Sequence, residues 1–282
     1  MKLALAQINT RLGRPKDNLA KHLDYIHEAV SQGVDLLVFP ELSLTGYILQ
    51  DLAATVACKP TTDDPIFGAL IEASIQLDLV VGFVEEDIRS RYFISAVYLS
   101  GGEVVHVHRK LYLPTYGLFD EGRFFAAGDS VQAFDTRFGR FGLLICEDFW
   151  HASPPYLLWL DGADLMIFIS ASPSRGLTDA PNLESAHWVE HINQAYASLF
   201  TSFIASTNRV GYEDGINFWG GATVYSPDGS LIKKGPYQEE AMTVVEIDLS
   251  QLQHIRTRLP LLRDERPEVV AKELERILTN DK

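Results

Sequence analysis

An α/β fold in one domain, with helices covering sheets, is what this chain predicts, and three observations carry the expectation. Strand-like and helix-like stretches alternate along the chain, the pattern of layered βα architecture. The composition is globular, 46% hydrophobic and 22% charged over 282 residues, with enough apolar side chain for a large core. No linker, low-complexity tract or repeat divides the chain.

The elements follow in order. Residues 3–8 are apolar enough for a first strand, and 15–32 form a helix that starts at Pro15 and places Leu19, Leu23, Ile26 and Val30 at helical spacing. Residues 36–39 make a short buried strand stopped by Pro40, and 65–77 a second helix. Residues 79–85, 93–100 and 103–108 are consecutive strands, the last two joined as a hairpin through Gly101 and Gly102. In the second half, 141–146 is a strand, 154–162 a helix, 165–170 a strand, 183–199 a helix and 203–207 a strand. Residues 222–225, 231–233 and 242–247 read as a β-meander turning at "SPDGS", and 267–279 as a polar surface helix.

The formal net charge of −14 argues against nucleic acid or an anionic membrane as partner, since both require basic surface. Two cysteines, Cys58 and Cys146, are too few for a disulfide-stapled domain or a cysteine-based zinc site. "MKLALAQINT" lacks a small-residue cleavage site and reads as a strand, not a signal peptide, and no apolar run is long enough to span a bilayer. A cytoplasmic, reducing location is the expectation.

Three separated segments carry chemistry. In "LLVFPELSLTGY", residues 36–47, a buried strand delivers Glu41 at its C-terminal end, where α/β folds place active-site groups; a partly desolvated carboxylate there suits a general base. Taken singly, an acid at a strand exit is more often merely solvated. In "HRKLYLPTYGLFDEGRFFAAGD", residues 108–129, a strand end presents Arg109 and Lys110, and a lysine here can stabilise a thiolate or an oxyanion. In "GLLICEDFWH", residues 142–151, Cys146 closes an apolar strand before a turn, in outline a nucleophile elbow, although a lone Cys in an apolar run is usually inert core. Glu147 and Asp148 follow at once, and their charge opposes a resting thiolate.

Together these segments resemble the nitrilase, or carbon–nitrogen hydrolase, superfamily: Glu after "FPE", Lys in an "RK" pair after a strand, and Cys after a short hydrophobic strand, in that order. "DEGRFFAAGD" and the later "NRVGYEDGINFWGGATVYSPDG" extend the resemblance, which runs from "LALAQIN" to "LPLLRDERP". It implies a four-layer αββα sandwich in which two sheets pack face to face. It also implies Cys146 as nucleophile, Glu41 as general base and acid, Lys110 as oxyanion stabiliser together with the Glu147 N–H, and Glu121 as a second glutamate orienting Lys110 or the substrate amine. Lys110 then offsets the local negative charge, and Glu41 takes the thiol proton during attack, so no free-standing thiolate is needed. Alternation along a strand would turn Glu147 away from the sulfur.

"ICEDFW" with "LPTYGLFDE" is most similar to the glutamine-amide-hydrolysing domain of glutamine-dependent NAD synthetases, which implies Tyr116 and Phe119 as pocket walls, with Glu147 and Ser172 holding the substrate. Arg175, three residues beyond Ser172, is a candidate for a substrate carboxylate. No Gly-rich phosphate-binding motif is present, so the expectation is a stand-alone amidase acting on a small polar carboxamide or carbamoyl compound, with a glutamine-like ω-amide as one candidate. The same thioester would serve an acyl- or amidotransferase or an ammonia-supplying subunit; a catalytically silent binding protein is the non-enzyme alternative. No metal or organic cofactor is expected: His187 and His191 have ligand spacing but no third partner. Trp188 and Trp219 read as core or interface aromatics, and Cys58 as incidental in a polar loop region. The resemblance further implies a homodimer or higher homo-oligomer, with the segment after Cys146 and the tail from about residue 250 in the contact.

Overall fold

The structure, a computed structural model, describes residues 1–174 and 183–280. Fourteen strands lie in the described residues: β1 (Lys2–Gln7), β2 (Leu36–Val38), β3 (Asp78–Glu86), β4 (Tyr92–Ser100), β5 (Glu103–Arg109), β6 (Phe134–Thr136), β7 (Gly139–Ile145), β8 (Leu165–Ser170), β9 (Phe203–Asn208), β10 (Val210–Glu213), β11 (Ile216–Trp219), β12 (Thr223–Tyr225), β13 (Leu231–Lys234) and β14 (Ala241–Glu246). One six-stranded sheet has the order β14-β1-β2-β3-β4-β5, the other β13-β12-β9-β8-β7-β6. Each has parallel central pairs, β1–β2–β3 and β7–β8–β9, flanked by antiparallel strands.

Side-chain alternation explains the layering. Leu3 and Leu5 of β1 share a buried cluster with Leu143 and Ile145 of β7 and with Ile167 and Ile169 of β8, so these faces of the two sheets meet. The intervening Ala4 and Ala6 face a second cluster containing Ile26, Ala29, Phe67 and Leu70 from the helices Pro15–Ser31 and Pro65–Ala73. On the other side, Leu144, Met166 and Phe168 pack with Leu158, Ala186, Val189 and Ala197 from the helices Ser153–Leu160 and Glu184–Phe200. The result is the αββα sandwich. Strands covered on both faces become continuous apolar runs, which is why 36–39 and 165–170 were readable. Asp64 caps the helix Pro65–Ala73 by accepting from the Ile66 and Phe67 N–H groups, with Pro65 fixing the first turn.

Three sequence expectations change. The β-meander is split: β12 and β13 pair, but β14 crosses to the other sheet and runs antiparallel to β1, from Lys2↔Glu246 to Gln7↔Ala241. The hairpin β10–β11, its own two-stranded sheet, was not anticipated. The helix Pro267–Asn280 is exposed but not uniformly polar, since Val269, Leu274, Ile277 and Leu278 are solvent-facing apolar residues on it. Among the described residues no helix is long and apolar enough to cross a membrane.

Candidate active site

The site lies where strand ends of both sheets converge. After β2 the chain passes Pro40 and lays Glu41 across β3, where the residue beneath is Gly82. A Cβ on Gly82 would sit 2.5 Å from the Pro40 carbonyl and 2.9 Å from the Glu41 Cα, so only glycine permits this approach. Glu41 is 1% exposed. One carboxylate oxygen accepts the Ala171 N–H at 2.7 Å, just beyond β8, and the other accepts Lys110 Nζ at 2.7 Å.

Lys110 follows β5 and is equally buried. Its Nζ also donates to Glu121 Oε1 at 2.8 Å, and the Tyr47 hydroxyl donates to the same oxygen. Burial opposes the ammonium, but Glu121 and Glu41 outweigh it and hold Lys110 protonated well above its ordinary range. Burial likewise pushes Glu121 up to about 7, against Lys110, and Glu41 adds to the rise. Burial, then the Glu121 charge, keeps Tyr47 a neutral donor. Sequence reasoning missed Tyr47, although it ends the "LTGY" that follows Glu41.

Cys146 is not the last residue of a strand. β7 ends at Ile145, and Cys146 opens a 3-10 turn, Cys146–Trp150, at φ +47°, a left-handed conformation that is strained for a side chain with a Cβ. The strand-alternation argument for Glu147 therefore fails; the turn carries Glu147 into the wall of the same cavity as Cys146, where its carboxylate accepts the Tyr116 hydroxyl at 2.9–3.0 Å. Burial and then Glu41 push the Cys146 thiol well above its usual range; Lys110 pulls the other way, and Glu121 and Glu147 add to the rise. The resting group is a neutral thiol within the field of Glu41, Lys110 and Glu121.

Asp148, which the sequence offered only as a charge beside Cys146, fastens the two loops together. It is fully buried. Oδ1 accepts the Leu111 and Tyr112 N–H groups at 2.9 and 3.0 Å, and Oδ2 lies 3.1 Å from the Ile145 N and 2.8 Å from His108 Nε2. One carboxylate thus joins the loop that carries Lys110 to the turn that carries Cys146.

Cys146 opens on a cavity of about 410 Å³ whose walls include Tyr116, Phe119, Glu147 and Ser172. Asn208 fixes Ser172 by accepting its N–H at 2.7 Å and donating to its carbonyl at 3.1 Å. Arg175 lies outside the described residues.

The profile of the carbon–nitrogen hydrolase family matches residues 2–257. The chain belongs to that family. Among relatives of this carbon–nitrogen hydrolase, the glutamine-dependent NAD(+) synthetase of Thermotoga maritima is 31% identical over 257 residues, 89% of this chain and 42% of the synthetase. The chain thus spans less than half the length of that relative. An omega-amidase of Homo sapiens is 28% identical over 284 residues, 96% of this chain and 98% of its own. In fold, a carbon–nitrogen hydrolase from Helicobacter pylori superposes with a TM-score of 0.81 at 23% identity, covering 97% of this chain and 98% of the other.

Of the remaining residues singled out in the sequence, Trp219 is buried core, whereas Trp188 is 64% exposed and lines the cavity. Cys58 is not in a polar loop environment: it packs in the cluster between the first sheet and its helices, where burial pushes its thiol up to about 12.

Proposed function

We propose that this carbon–nitrogen hydrolase cleaves the C–N bond of a small polar carboxamide or carbamoyl compound through a thioester on Cys146. One observation carries the reading: Cys146 stands at a cavity wall within the field of a buried Lys110 whose Nζ lies 2.7 Å from Glu41 and 2.8 Å from Glu121. As sulfur attacks the carbonyl carbon, the S–H proton passes to Glu41. Lys110, with the Glu147 N–H, takes the charge that develops on the carbonyl oxygen. Collapse breaks the C–N bond, and Glu41 returns the proton to the departing ammonia or amine. Water, deprotonated by Glu41, then attacks the thioester; the C–S bond breaks and Cys146 recovers its proton. Glu121 and Tyr47 hold Lys110 in place. Tyr116, Phe119, Glu147 and Ser172 frame the substrate.

The test is ammonia and acid release from a panel of carboxamides, with and without hydroxylamine. Equimolar ammonia and acid are expected; failure to release ammonia from any carboxamide or carbamoyl compound contradicts the reading. A second reading, in which an amine or a synthetase partner consumes the intermediate or its ammonia, draws support from the synthetase relative. Where an amine takes the acyl group, hydroxamate dominates over acid; where a partner takes the ammonia, acid is still released in full.

The reading extends to a reducing, cytoplasmic location and to one hydrolase domain that assembles at least as a homodimer, with the tail from about residue 250 and the segment after Cys146 in contact. Exposed Leu157, Leu199, Leu274 and Ile277 are in keeping with this. Light scattering that finds only monomer at micromolar concentration would count against it.

A further inference from the structure

The cavity beside Cys146 has an outer wall that the bond-breaking chemistry leaves unused. Two tryptophans stand in it with much of their surface in solvent, Trp150 at 41% and Trp188 at 64% exposed. Trp150 ends the 3-10 turn that begins with Cys146, while Trp188 lies on the helix Glu184–Phe200. Glu184 is four residues before Trp188, so carboxylate and indole share one face of that helix, and both line the cavity. Glu147 contributes a second carboxylate. No Lys or Arg is found among the described lining residues. Nor does the buried floor offset this charge, because the single ammonium of Lys110 is already shared between Glu41 and Glu121.

Exposed indole faces beside carboxylates attract organic cations, through the ring quadrupole and through charge. An anionic group at the same place meets the like charges of Glu184 and Glu147. We propose that this wall is a cation subsite built from Glu184, Trp188 and Trp150, so that the amide the enzyme takes carries an ammonium or similar organic cation on the end remote from its reacting carbonyl. The assignment rests on the amidase reading and narrows it to a substrate class.

Three amides of similar length separate the charges: 5-aminopentanamide, hexanamide and glutaramate, each assayed for kcat and KM with the intact protein. The cationic amide is expected to show kcat/KM about tenfold above the neutral one, with glutaramate lower still, the advantage carried by KM and shrinking as salt is added. In Glu184→Gln and Trp188→Ala the ratio of cationic to neutral kcat/KM falls by about threefold or more, the size of an exposed cation–π contact, while Trp188→Phe keeps most of it. Because each ratio is taken within one preparation, a partly misfolded variant does not distort it. Equal or better use of hexanamide or glutaramate, or ratios unmoved in both Glu184→Gln and Trp188→Ala, overturns the cation subsite while leaving an amidase. If none of the three yields ammonia and no acyl adduct forms on Cys146, the amidase reading itself fails, and the subsite with it.

Discussion

Asp148 illustrates how much of this site depends on a residue that need not touch substrate. Its two oxygens accept from the backbone on either side, Leu111 and Tyr112 after Lys110 and Ile145 before Cys146, with His108 as a fourth partner. An amide side chain keeps the shape but offers one acceptor oxygen, so at least one buried N–H loses its partner. Asp148→Asn is therefore expected to cost about 2–3 kcal/mol of stability by denaturant titration. It should also lower kcat by up to about a hundredfold with a smaller change in KM, the signature of misplaced reacting groups. An unchanged kcat would mean that the Lys110–Cys146 spacing does not rely on this carboxylate. Nothing in "CEDFW" marks which of its two acids is structural; burial decides it, and burial belongs to the fold.

At the level of elements, the site is assembled from strand exits, and the tightest is the passage of residues 40–42 over β3. Gly82→Ala would place a methyl 2.5 Å from the Pro40 carbonyl and 2.6 Å from the Leu42 nitrogen, so the segment bearing Glu41 must lift. The expected outcome is a loss of about 1–3 kcal/mol in thermal or denaturant melts. A drop in kcat/KM larger than that instability explains should accompany it; wild-type kinetics would show that Glu41 tolerates displacement. The strands that deliver Glu41, Lys110 and Cys146 were legible because each is an apolar run ended by Pro40, by the Arg109–Lys110 pair or by the turn after Ile145. Other features were less so. β14 reads as the last strand of a meander because local sequence says nothing about which sheet edge is vacant; its partner, β1, is more than two hundred residues away. The hairpin β10–β11 did carry a signal, Asp214–Gly215, whose positive φ values of +47° and +80° fit the tight turn such a pair favours. Glu213, at the end of β10, ties the hairpin to the rest of the fold by bonding Arg209 and the Tyr47 and Ile48 N–H groups. Tyr47 escaped notice, and Asp148 was read only for its charge, because their roles are contacts between loops, which have no periodicity to read.

Across the whole molecule, the sandwich excludes water from titratable groups far from the cavity, and acid should expose this. His22 is fully buried against Phe39, bonded to the Asn18 carbonyl and the Ser43 hydroxyl. Burial lowers its pKa from 6.5 to about 4. On acidification the unfolded chain therefore takes up this proton first, so the contribution of His22 is full above about pH 6.5 and is lost as pH falls through 4. The unfolding free-energy difference between wild type and His22→Gln should narrow by about 3 kcal/mol from neutral pH to pH 4; a pH-independent difference would mean the imidazole is not held neutral. The larger claim is that the two sheets exist, functionally, to bring one thiol and one carboxylate to the same cavity. Intact-mass spectrometry after rapid mixing with a turned-over amide tests it most directly. The account predicts a transient acyl adduct on the wild-type protein, none on Cys146→Ala, and none on Glu41→Gln, whose thiol has lost its proton acceptor. Ammonia release at wild-type rates from either variant would contradict it.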